Sequence, residues 1–89
     1  MNNQNFSVRQ EIENTLEKLT RVGDALLANA PALSASEGVI ASTLLSDVTA
    51  KTMLLQNALP LLDRISEAEA LEMTHELIAE SNAIHAHFC

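Results

Sequence analysis

The sequence predicts an all-α fold: a three-helix up-down-up bundle, or a helical hairpin that completes its core by homodimerisation. Three observations carry this expectation. Hydrophobic residues make up 47% of the 89 positions, yet there are two Phe, no Trp and no Tyr, so the core is aliphatic, with leucine and alanine dominant. Such surface suits helix packing, whereas sheets favour β-branched and aromatic side chains. Ser7 with Gln10, Ser34 with Glu37 and Ser66 with Glu69 each have the spacing of a capping box. In that motif the serine oxygen accepts from an orphan backbone N–H and the Glu or Gln reaches back. Finally, Pro31 and Pro60 punctuate the amphipathic stretches, each removing a donor and disfavouring helical geometry in the preceding residue.

The first helix is expected over residues 7–29. At about 100° per residue, Val8, Ile12, Leu16, Leu19, Val22 and Leu26 form one stripe, while Glu13, Glu17, Arg21 and Asp24 face away. Glu17 and Arg21 make an i,i+4 pair in the favourable order.

The second helix is expected over 34–59, with Ala41, Leu44, Leu45, Val48, Leu55, Leu59 and Leu62 as its main stripe and Lys51 and Thr52 interrupting it. Residues 61–65 read as an apolar connector after Pro60. Around that proline the apolar surface widens: Met53, Leu54, Leu61 and Ile65 lie nearly opposite the main arc. Monomers seldom expose a large contiguous apolar patch, so either the middle helix is the most buried one or this surface meets a partner or a second copy.

The third helix is expected over 66–87, with Ala70, Met73, Leu77, Ile84 and Phe88 as one apolar lobe and Leu71 with Ile78 beside it. Glu69, Glu72, Glu76 and Glu80 line the opposite side, in a stretch with five acids and no Lys or Arg from Ser66 onward. A solvated outer face explains that stripe, and so does an electrostatic docking surface for a basic partner. Like charges at i,i+4 repel mildly, and nothing local in the sequence offsets that.

Residues 1–89 form one domain, because chains divide into separate cores only at roughly twice this length or more. A net charge of −7 and five basic residues argue against nucleic-acid binding, where affinity comes from neutralising phosphates. The polar N-terminal stretch has no basic flank and no apolar run of signal-peptide type. No segment holds the ~18 unbroken apolar residues of a membrane span. With one cysteine, Cys89, no intrachain disulfide can form. The expectation is a cytoplasmic protein without membrane association.

Catalysis is not expected. Neither a Gly-rich phosphate loop nor a nucleophile elbow occurs, and carboxylates on a solvated stripe have nothing to drive their pKa values apart. His85, His87 and Cys89 offer zinc-type ligands, but on a continuing helix His85 and His87 lie about 200° apart. No second Cys/His segment accompanies them. The expected function is therefore a small acidic protein–protein interaction module, such as an inhibitor, adaptor or chaperone-like regulator, that needs no cofactor. It would bind a protein through Leu54, Leu61 and Ile65 and through Glu69, Glu72, Glu76 and Glu80. The alternatives are a metal-binding protein using His85, His87 and Cys89, or a structural subunit that self-assembles.

Overall fold

A computed structural model describes residues 6–88. Helix α1 spans Phe6–Asn29 and α2 spans Ala35–Ala58, with a 3-10 turn over Ala30–Ala32 between them. A second 3-10 turn, Leu59–Asp63, leads to α3 at Glu67–Phe88, and no strand occurs among the described residues. At one end Arg9 Nη2 lies 3.4 Å from Asp63 Oδ1, joining the start of α1 to the end of the second turn. At the other end Leu26, Leu33, Ile40 and Phe88 line one cavity. The helices therefore run up, down and up, with α1 and α3 parallel. The protein is a three-helix bundle.

Local sequence explains the boundaries. Pro31 and Pro60 each occupy the first residues of a 3-10 turn, where a missing N–H does least harm. The capping box at α2 is complete: Glu37 N–H donates to Ser34 Oγ at 3.3 Å, and Ser34 N–H donates to Glu37 Oε1 at 2.9 Å. At α3, Glu69 N–H donates to Ser66 Oγ at 3.2 Å and Ser66 N–H to Glu69 Oε1 at 3.0 Å. The Ser7 box does not form in the expected way. Ser7 already lies inside α1, and the Gln10 amide reaches forward to Asn14 Oδ1 at 3.3 Å.

The core follows the stripe expected of α1, since Val8, Ile12, Leu19, Val22 and Leu26 are buried and Leu16 packs beside them. From α2 the core takes Val48, Leu55 and Ala58. The turn after Pro60 is not a mere connector, because Leu62 within it is fully buried and Ile65 packs against the core.

Helix α3 departs most from expectation. Its buried face is Ala70, Thr74, Ile78 and Ser81, with Leu77 and Ile84 half-buried, while Met73, Leu71 and Phe88 remain exposed. Thr74 Oγ1 donates to the Ala70 carbonyl and Ser81 Oγ to the Leu77 carbonyl, both at 2.7 Å. These hydroxyls are satisfied within their own helix, so their burial leaves no orphan donor. Small side chains let α3 come close to α1, and those two helices share the most extensive of the helix–helix interfaces.

The molecule is a rod of 53 × 17 × 17 Å with a radius of gyration of 14.9 Å. A compact domain of this length would have about 12 Å. Each helix is thus covered along a narrow strip, and apolar residues outside that strip stay in water. Helices α2 and α3 contact each other least, being held together chiefly through α1.

Candidate functional site: an apolar groove between α2 and α3

The sparse α2–α3 contact leaves a groove of about 310 Å³ between them. Leu54, Asn57, Ala58 and Leu61 form one wall, and Met73, Thr74 and Leu77 the other. Leu54 is 58%, Met73 48% and Leu61 42% exposed. Helical geometry accounts for the placement. Leu55 is fully buried in the core, and Leu54, about 100° round the helix, lines the α3 side. Leu61 falls on the same face seven residues later, and Met73 and Leu77 face it as an i,i+4 pair. With the Thr74 hydroxyl committed to the Ala70 carbonyl, the α3 wall is apolar in character.

One turn beyond Leu54, Lys51 bridges the two helices. Its Nζ lies 2.8 Å from Asp47 Oδ1 and 3.4 Å from Glu80 Oε1, and its side chain is only 11% exposed. The Asp47 hydrogen bond, helped by the charges of Asp47 and Glu80 and opposed by burial, holds the Lys51 pKa above the ordinary lysine value. The aliphatic stem is largely buried while the ammonium joins α2 to α3 one turn beyond the groove.

The acidic residues of α3 are not equivalent. The stripe is not opposite Met73 as expected: on the helical projection Glu69, Glu76 and Glu80 lie within about 60° of it, on the outer side of the groove wall, whereas Glu72 lies about 100° from it. Glu69 closes the α3 cap, as its spacing from Ser66 predicts, and Glu80 meets Lys51, a partner that sequence alone did not show.

Of the apolar residues expected to act together, Leu54 and Leu61 share the groove. Ile65 does not, because it packs against the core. Nor does Met53, which lines a separate cleft between α1 and α2 with Leu19, Gly23, Leu27 and Leu45. The expectation that Met53, Leu54, Leu61 and Ile65 form one patch is therefore corrected. Met53 and Leu54 are adjacent in sequence and so diverge around the helix.

Sequence reasoning also missed an apolar cavity of about 360 Å³ at the far end of the bundle, lined by Leu26, Leu33, Ile40, Leu44 and Phe88 among others. The apolar Ile40 near the start of α2, 68% exposed, is its available signal.

The alternative metal site at the C-terminus lies partly outside the described residues. His85 and His87 lie on α3, Cys89 lies outside the described residues, and no group of three or more His, Cys, Asp or Glu is placed for a metal among the described residues. The His87 ring instead packs edge-on to Phe88, with centroids 5.0 Å apart.

The segment Ala35–Asp63 is long and apolar enough, by length and composition, to cross a membrane, with mean hydropathy reaching 1.2 over its best window. Only 11% of that window is buried. Against known families, curated proteins and solved structures, the chain has no match.

Proposed function

We propose that this protein is a small acidic interaction module that binds a protein partner in the α2–α3 groove, as an adaptor or inhibitor rather than an enzyme. One observation carries the reading. Helix α2 carries large apolar residues on nearly every side, interspersed with polar ones, yet the bundle fully buries only Val48, Leu55 and Ala58 and leaves Val39, Ile40, Met53 and Leu54 exposed. A helix that is hydrophobic on all sides is normally enclosed, and exposed apolar surface of this kind marks a contact site. The groove adds walls from two helices and an acidic rim on one of them, which supports recognition of a protein surface over a lipid one. Anionic headgroups would meet a molecule of net charge −7.

The test is partner retention. Wild-type protein is compared with Leu54→Ser and Met73→Ser, whose exposed positions make stability changes beyond about 0.5 kcal/mol unexpected, and with Val39→Ser as a control elsewhere on α2. The reading expects the groove variants to lose a defined partner that wild type and Val39→Ser retain. Equal retention by all four proteins would sink it.

A further inference from the structure

We infer that the occupant of the groove is a single amphipathic helix of the partner protein with a basic flank, lying between α2 and α3 as a fourth helix; this rests on the interaction reading above. The shape argues for a helix. Two helical walls with little mutual contact present an open seam, and a third helical ridge laid into it reproduces ordinary bundle packing. Leu54 on α2 and Leu61 on the 3-10 turn that continues it are seven residues apart, roughly 10–13 Å along the axis. An occupant matching them therefore presents apolar anchors at i, i+3 or i+4, and i+7.

Charge selects among occupants. On the helical projection Glu76 borders the α3 wall with no ion pair among the described residues, and Glu69 and Glu80, though they serve the α3 cap and Lys51, keep exposed carboxylates beside it, so a guest flank carrying cations complements that side. A second copy of this chain supplies few. Four of its five basic residues already have internal partners: Arg9 with Asp63, Lys18 with Asn82, Arg21 with Glu17, and Lys51 with Asp47 and Glu80. Each copy also carries a net charge of −7, so self-pairing brings like charge to like. The guest is thus a different protein, with lysine or arginine along one edge of an otherwise leucine-type face.

The probe is a synthetic peptide of about 18 residues, long enough for stable helix once docked, with leucines at i, i+4, i+7 and i+11 and lysines on the flanks. A matched peptide carries glutamate in place of lysine. Each is titrated into the isotope-labelled full chain by NMR. The expected result is saturable perturbation centred on Leu54, Leu61, Met73 and Leu77, with the lysine peptide at least about tenfold tighter and weakening as salt rises. Leu54→Ser and Met73→Ser, checked for folding by circular dichroism, should lower that affinity about tenfold.

Equal affinity for the two peptides overturns the inference, as do perturbations centred on Ile40, Leu44 and Phe88, or a groove-dependent dimer that excludes the peptide. Absence of saturable binding by the lysine peptide overturns it too. That last result leaves the interaction reading standing if the groove variants still lose their natural partner.

Discussion

Lys51 of α2 and Glu80 of α3 meet across the seam of the bundle, Nζ to Oε1 at 3.4 Å, one turn beyond the groove-lining Leu54 and Leu77. Asp47 and Glu80 are themselves about half exposed, so water can solvate them if the lysine is lost. Replacing the charge alone, Lys51→Met, should change stability by no more than about 1 kcal/mol. Lys51→Ala also removes buried methylenes and should cost about 1–2 kcal/mol more. Thermal unfolding of the two variants checks this, and equally large losses in Lys51→Met and Lys51→Ala would show that charge dominates over packing.

The raised pKa of Lys51 gives a pH dependence of known sign. A group whose folded pKa lies above its unfolded value stabilises fully below the unfolded value and loses that contribution as pH climbs through the folded one. Wild type should therefore lose melting temperature above the ordinary lysine range, near pH 10–11, more steeply than Lys51→Met. Parallel curves for the two proteins would contradict the bridge.

Glu37 behaves in the opposite sense. The Ser34 backbone N–H, with its hydroxyl, holds the Glu37 carboxyl below the ordinary carboxylate value. Its contribution is present above the unfolded value and is lost as pH falls through the folded one. Acid titration followed by helicity should show a smaller loss in Glu37→Gln than in wild type over that interval.

The caps themselves should separate cleanly. Ser34→Ala and Ser66→Ala each remove an oxygen that accepts an orphan N–H, at a cost of about 1 kcal/mol. Ser7→Ala, inside α1, should be neutral or slightly stabilising, because alanine is the better helix former. A loss of similar size at all three serines would mean that α1 begins at Ser7 after all.

How far the sequence could be read depended on side-chain size and polarity. On α1 the large apolar residues coincide with the buried stripe, from Val8 to Leu26, so periodicity alone located it. On α3 they do not. Ala70, Thr74 and Ser81 are buried while the bulkier Met73 and Leu71 face water. Hydropathy patterns reward large side chains, whereas close approach of α1 and α3 selects small ones whose hydroxyls bond the preceding turn.

The groove was half legible. Leu54 and Leu61 stand out in the sequence as surplus, but periodicity places Met73 in the core and groups Met53 and Ile65 with residues that they do not join. The Lys51 bridge depends on the relative placement of α2 and α3, which no local pattern encodes.

The α1–α3 interface yields its own prediction. Ser81 is fully buried, with its hydroxyl bonded within the helix. Ser81→Ala should stay within about 0.5 kcal/mol of wild type. Ser81→Leu forces extra volume into a close contact and should cost about 1–3 kcal/mol. Denaturant unfolding decides, and tolerance of leucine would mean that the helices are not closely packed there.

Leu54 and Leu55 are neighbours with opposite roles, so truncating each separates scaffold from binding face. Leu55→Ala should cost about 2–5 kcal/mol by opening a core cavity, while Leu54→Ala should stay within about 0.5 kcal/mol.

The most direct test of the groove is site-resolved crosslinking in the source cell. A photoreactive residue replaces Leu54, and in a parallel protein it replaces the exposed Thr20 of α1. Binding in the groove predicts one discrete protein adduct at position 54, absent at position 20 and suppressed by Met73→Ser. The same adducts from both positions, or an adduct at position 54 that persists unchanged in Met73→Ser, would contradict it.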